Sequence, residues 1–253
     1  MVTLSAIRRV YPAADRRGAP LTALDSLDLE VAEGEFVALV GPSGCGKSTL
    51  LELVAGLSEA DEGEVSVGGR RASGERLRAC SYMPQRDLLL PWRDALGNAA
   101  LALECLGVPP SEARARAEPL FERFGLGEFE RSAPAALSGG MRQRVAFLRT
   151  LLPERPLLLL DEPFAALDSI TRAEMQEWLA GALGEEPRTV VAVTHDVEEA
   201  LFLADRVAVL SRRPGRVVLE LEVPFARPRP RLETITDPAF VGLREQALEA
   251  LRQ

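Results

Sequence analysis

FVALV-GPSGCGKST-LLELVAGL, residues 36–57, decides the fold. Phe36 to Val40 is a continuous apolar run, as expected of a strand buried on both faces. Leu50 to Leu57 carries helical spacing, and nine residues rich in glycine and small side chains lie between. The order is strand, glycine loop, helix. Glycines in such a loop let backbone N–H groups turn inward, and the positive end of the following helix adds to them, so the loop is built to hold phosphate.

The loop matches G-x-x-x-x-G-K-[ST], the P-loop pattern: Gly41, Pro42, Ser43, Gly44, Cys45, Gly46, Lys47, Ser48 and Thr49. Lys47 is placed to reach the β- and γ-phosphates of a nucleotide, and Ser48 to give its hydroxyl to Mg²⁺. Lysine and arginine total 30, yet Lys47 is the one lysine. A composition that otherwise uses arginine has kept a compact ammonium where a planar guanidinium would not serve.

Outward from this centre the pattern repeats. Leu157 to Leu160 is an apolar run ending in Asp161-Glu162-Pro163, Thr189 to Val193 one ending in Thr194-His195-Asp196, and Arg206 to Leu210 a further one. Helical patterns over 169–183 and 197–204 separate them. This is βαβ logic and predicts a mainly parallel sheet. Alternation over 24–31 predicts a strand polar on one side. From about Leu88 to Leu151 no buried-strand run occurs, and the stretch reads as a helical lobe inserted into the α/β core. After Pro214-Gly215 follow a strand-like VVLELEV, a Pro/Arg-rich linker PFARPRPR and a short helix over 238–252.

An apolar strand that delivers a carboxylate beside a P-loop is a metal-holding arrangement, with Asp161 as the metal residue. Glu162 is then placed to polarise an attacking water as general base. The alternative is an acidic pair in a helix first turn. Ser138, Gly139 and Gly140 of LSGGMRQR open a helix whose exposed N–H groups and serine hydroxyl suit a second phosphate site; the alternative is an ordinary helix cap with glycines.

With 253 residues, 47% of them hydrophobic, the chain can bury a large core, and 27% charged residues argue against wholesale disorder. The net charge of −8 gives no long-range attraction for nucleic acid. Three cysteines, Cys45, Cys80 and Cys105, lack paired spacing and fit reduced thiols. No apolar run approaches the roughly 18–20 residues that span a bilayer, and the N-terminus lacks a signal-like apolar core; the expected location is the cytoplasm.

P-loop, LSGG-x-x-Q and DEP, in this order and spacing, resemble the ATP-binding cassettes of ABC transporters. The stretches LLPWRDALGNAALALE, LSGGMRQRV, LLLLDEPFAALDSITRAEMQ, THDVEEALFLADRVAVLS and RPGR extend the likeness over nearly the whole chain. They look like the nitrate/sulfonate/taurine group of importer ATPases. AFLRT stands where that group usually has ALARA, and AALD where SALD is common; neither touches a phosphate-binding atom.

The resemblance implies an α/β P-loop NTPase (RecA-like) core, about 1–85 and 152–216, with an antiparallel β edge. It also implies a helical lobe over about 86–151 and a tail over about 217–253. It implies an ATPase that powers import of nitrate, sulfonate, taurine or a similar small solute, with ATP and Mg²⁺ bound. Gln85 resembles the Q-loop glutamine that joins Ser48 and Asp161 at Mg²⁺. Leu137, Ser138, Gly139, Gly140 and Gln143 resemble the signature that serves ATP held by a partner cassette. Asp168 resembles the D-loop aspartate, and His195, the one histidine, the switch residue at the γ-phosphate. Tyr11 resembles the aromatic stacked on adenine. Leu90 and Trp92 are the expected contacts to a membrane permease. The implied partners are a second cassette, the permease and, indirectly, a solute-binding protein; nucleic acid is not among them. The implied place is the cytoplasmic face of the inner membrane. Three rivals fit less well. About 50 residues between Gln85 and the signature are too few for the coiled coils of a DNA-repair ATPase. Each motif occurs once, unlike a two-cassette translation factor, and a small-metabolite kinase has no use for LSGG.

Overall fold

The computed structural model describes residues 1–12, 19–185, 188–227 and 229–252, so Pro228 of the Pro/Arg-rich stretch and Gln253 lie outside it. Among the described residues the strands form two sheets. The first is antiparallel, in the order β2 (Leu21–Val31), β1 (Val2–Tyr11), β4 (Glu62–Val67). The second runs β5 (Cys80–Met83), β6 (Leu157–Asp161), β7 (Thr189–Thr194), β3 (Phe36–Val40), β8 (Arg206–Leu210), β9 (Val217–Glu222). Its first five strands are parallel and β9 closes the edge antiparallel to β8.

The five-residue apolar runs are buried along their length because the sheet is covered on both faces. Phe36, Ala38 and Val40 belong to one apolar cluster and Val37 and Leu39 to the other. Leu158 and Leu160 divide from Leu157 and Leu159 in the same way, as the two-residue period of a strand requires. Each such side chain contributes on the order of 2 kcal/mol by leaving water. The cluster around Val37 also takes Leu4, Leu27 and Leu29 from the antiparallel sheet and Leu50, Leu53 and Val54 from α1 (Lys47–Ala55).

α2 (Ser73–Ala79) leads into β5, and between β5 and β6 the chain forms the helices α3 (Ala95–Cys105), α4 (Pro110–Arg123) and α5 (Gly139–Leu151). Past β6 come α6 (Ser169–Glu185) and α7 (Val197–Leu203), and past β9 come α8 (Arg231–Thr236) and α9 (Pro238–Ala250). Two readings of the sequence need correction here. β9 was assigned to the tail, but it hydrogen-bonds into the main sheet from Arg206↔Glu222 to Leu210↔Val217. The last residue of the stretch read as a linker, Arg231, already starts a helix, with Thr234 N bonded to Pro230 O at 3.0 Å. No helix among the described residues is long and apolar enough to cross a membrane.

Candidate functional site

In an open parallel sheet the carboxyl ends of the strands converge on one edge, where ligands bind. Here β5, β6, β7 and β3 are adjacent and parallel, with Met83 level with Leu160, Asp161 with Val193, and Val40 with Thr194. The residues that follow these ends are Gln85, Glu162, His195 and the loop that begins at Gly41. Candidates scattered across 155 positions of sequence therefore stand in a row.

The loop from Gly41 to Thr49 joins β3 to α1. Gly46, at φ 108°, caps the helix in a conformation closed to other L residues, and a Cβ there would meet Leu24 Cδ2 at 2.7 Å and Ala23 O at 2.8 Å. Lys47 is buried, 6% exposed, and its Nζ donates to Gly41 O at 2.6 Å and Pro42 O at 3.1 Å. The ammonium is thus held against the turn it follows. Tyr11, half-buried, has its hydroxyl 3.2 Å from Thr49 Oγ1, and the Arg9 guanidinium lies over its ring at 5.0 Å.

Asp161 ends β6 and is buried. Burial pushes its carboxyl above the usual carboxylate range, against a hydrogen bond from the Ser48 hydroxyl and the pull of Lys47; Glu162 and Glu52 add to the rise. Its Oδ1 is buried without a hydrogen-bond partner. A buried, orphaned carboxylate oxygen beside a serine hydroxyl is a donor set suited to a hard cation such as Mg²⁺.

Glu162 follows at φ 50°, a strained setting for a non-glycine residue, fixed by its N–H donating to Val193 O at 2.8 Å. Glu162 Oε2 accepts from Gln85 Nε2 at 3.2 Å, and Oε1 lies 3.4 Å from His195 Nδ1. The amide nitrogen of Gln85 is engaged by Glu162, so a metal ion would be met by the other amide atom, the oxygen. His195 itself is 61% exposed.

Ser138 caps α5, its hydroxyl accepting from Met141 N at 3.2 Å. Leu137 and Gln143 are buried beneath it, while Ser138 and Gly139 are exposed. Gly140 lets the helix start approach Ala166 and Leu167: a Cβ there would sit 3.3 Å from Leu167 Cδ2. Asp168 caps α6 by accepting from Thr171 N at 3.1 Å, the Thr171 hydroxyl at 2.7 Å and Ile170 N at 3.1 Å, which holds its carboxyl below the usual range. A groove of about 420 Å³, lined in part by Gln85, Asp87, Gly139 and Gln143, joins the two regions.

The stretch after Gln85 is held by residues that the sequence reading missed. Arg142 Nε bonds Asp87 Oδ2 at 3.0 Å, and Arg149 donates to the carbonyls of Asp87 at 2.6 Å and Leu88 at 3.0 Å. Asn98, fully buried, accepts from Leu90 N at 2.6 Å and donates to the carbonyls of Leu90, Arg93 and Asp94. A lone amide in the apolar run ALGNAALALE was the available signal for Asn98; the arginines gave none. Leu90 is half-buried and Trp92 is 77% exposed, so Trp92 is not a core residue.

A family model described as ABC transporter matches residues 24–165. The aliphatic sulfonates import ATP-binding protein SsuB 1 of Rhodococcus jostii is 46% identical over 232 residues, 92% of this chain and 88% of that protein. The nitrate import ATP-binding protein NrtD of Synechococcus elongatus is 42% identical, covering 92% of this chain and 85% of that one. The bicarbonate transport ATP-binding protein CmpD of a Synechocystis strain is 40% identical, covering 99% and 88%. The ATP-binding cassette MJ0796, solved as a dimer in a post-hydrolysis state bound to ADP and Pi, superposes with a TM-score of 0.80. It is 32% identical, covering 89% of this chain and 100% of that one.

Proposed function

The chain belongs to the ABC transporter family, and on that premise we propose that it is the ATP-binding, ATP-hydrolysing subunit of an importer for nitrate, a sulfonate, taurine or a similar small solute. One observation carries the catalytic reading: Glu162 stands at a strand end between Gln85 and His195, next to Asp161 and the P-loop strand.

The residues divide the work by their chemistry. Backbone N–H groups of 41–49 cradle the phosphates, and Lys47 neutralises their charge from a buried, preorganised position. Ser48 and Asp161 would hold Mg²⁺, with the amide oxygen of Gln85 as a further ligand. The ion would withdraw charge from the phosphate oxygens. Glu162 accepts a proton from the attacking water. His195 orients that carboxylate and contacts the γ-phosphate, and Tyr11 stacks on adenine.

Leu137, Ser138, Gly139, Gly140 and Gln143 present a helix start to nucleotide held by a second cassette, so two chains close head-to-tail and Asp168 faces the seam. The relative solved as a dimer supports this pairing. Leu90 and Trp92 meet a short cytoplasmic helix of a membrane permease. Pinned by Asn98 just beyond Gln85, they pass lobe motion to it. The chain then works at the cytoplasmic face of the inner membrane, with a solute-binding protein as an indirect partner and without nucleic acid.

Glu162→Gln tests the reading. The amide keeps the size and the Gln85 contact but takes no proton. ATP binding stays within about threefold of the parent, while turnover falls by about 10²–10⁴. ATP-bound dimer accumulates on gel filtration. Near-parental turnover removes Glu162 as the base.

A further inference from the structure

Behind His195 lies a buried polar cluster to which the catalytic steps assign no work. Gln176 on α6 and Glu199 on α7 are 1% and 6% exposed. Gln176 Nε2 donates to Glu199 Oε2 at 2.9 Å, and its Oε1 accepts from Arg231 Nη1, on α8, at 2.7 Å. Glu199 also takes the hydroxyl of Thr194, and Thr194 Oγ1 in turn accepts from Asp196 N at 3.1 Å. Thr194 and Asp196 are the two neighbours of His195 in the chain. The backbone on either side of the histidine is therefore tied to one line of hydrogen bonds that ends in the C-terminal segment.

That segment grips α7 at both ends. Arg231 Nη2 is 3.5 Å and Arg244 Nη1 3.7 Å from the Glu198 carboxylate in its first turn, and the Arg231 guanidinium lies over the Phe202 ring at 4.9 Å. Arg229, buried, donates to the carbonyls of Leu201, Phe202 and Ala204, which α7 leaves unpaired in its last turn. Apolar packing would brace α7 more cheaply, because every buried polar group must find a partner. What the polar line adds is direction: it fixes one geometry. Burial raises the Glu199 carboxyl to about 7, and Asp196 adds to that rise. The hydrogen bonds from Thr194 and Gln176, and Arg172, oppose it.

We propose that Arg231, Gln176 and Glu199 are positioning residues, a relay through which the C-terminal segment sets where His195 stands relative to Glu162. The proposal rests on the catalytic reading for its consequence, not for its geometry. His195 is largely exposed and its side chain meets Glu162, so its place is decided by the backbone that carries it. Where hydrogen bonds and packed side chains carry such coupling, removing one link is felt at the far end.

The one histidine makes the relay directly observable, since the protein has a single imidazole Cε1–H resonance. Gln176→Met and Arg231→Met keep side-chain volume and remove the polar links. In both, the resonance moves from the parent's. The turnover number for ATP falls about three- to tenfold with KM within twofold, and Arg231→Lys stays nearer the parent. Resonances of both methionine variants that superimpose on the parent's, in proteins that melt cooperatively, overturn the relay. Should Gln176→Met not fold, Arg231→Met decides, because its head group is partly exposed. The imidazole signal judges the relay whether or not ATP is hydrolysed, whereas a parent without ATPase activity overturns the catalytic reading.

Discussion

His195 Nδ1 lies 3.4 Å from Glu162 Oε1, and the other oxygen of the same carboxylate accepts from Gln85 Nε2 at 3.2 Å. Three residues from three strand ends are thus joined through one side chain. Groups that act through one carboxylate are non-additive when removed. His195→Ala is expected to lower the turnover number about 10²-fold with ATP affinity within threefold. The double variant with Glu162→Gln falls no further than Glu162→Gln alone, as steady-state ATPase assays on the four proteins will show. Two full, multiplying losses would mean that His195 acts independently of Glu162.

Lys47 occupies a pocket cut for an ammonium. Its Nζ is held by two carbonyls of the turn it follows, Gly41 and Pro42, in a nearly closed space. A guanidinium keeps the charge but is larger, planar and poor at converging on two close carbonyls. Lys47→Arg is expected to weaken ATP binding at least tenfold in calorimetry. Parental affinity would show that charge alone matters there.

Trp92 offers most of its surface to solvent while Asn98 fixes the backbone beside it through Leu90. An exposed tryptophan on a rigid loop is suited to anchor a partner. Trp92→Ala is expected to shift the melting temperature by less than about 2 °C, in line with surface substitutions. ATP binding by the isolated subunit stays intact, and co-purification with the permease is lost. Retained assembly would move the contact elsewhere.

Glu199 predicts a pH dependence of stability. Its folded-state pKa, about 7, is above the unfolded carboxylate value of about 4.5. The folded state therefore holds the proton more tightly, and stability falls as pH rises from about 4.5 to about 7, then levels. Glu199→Gln has no charge to bury. Its melting temperature relative to the parent is expected to be higher at pH 8 than at pH 5. A gap that is the same at both values would show that the carboxyl is not neutral in the fold at low pH.

The sequence by itself determined what contiguous residues can determine. The buried strands at 36–40, 157–161, 189–194 and 206–210 were legible because a sheet covered on both faces demands unbroken apolar runs, and the phosphate loop because its glycines, Lys47 and Ser48 are neighbours in the chain. β1 was not legible. Its pairing shifts register between Leu4 and Ile7, with Ala6 at φ 50°, so the alternation that would announce it is broken. β4 and β5 were missed too, and β9 was left outside the core, since an edge strand with one buried face has no continuous signal. Tertiary structure alone decided the strand order β5-β6-β7-β3. That order brings Gln85 to Glu162 across 77 residues, and the placement of α8 beside α6 brings Arg231 to Gln176 across 55. Hydrogen bonds between distant residues leave no period in a sequence. They exist because apolar runs choose their neighbours by packing, and the polar side chains at the strand ends meet where that packing puts them.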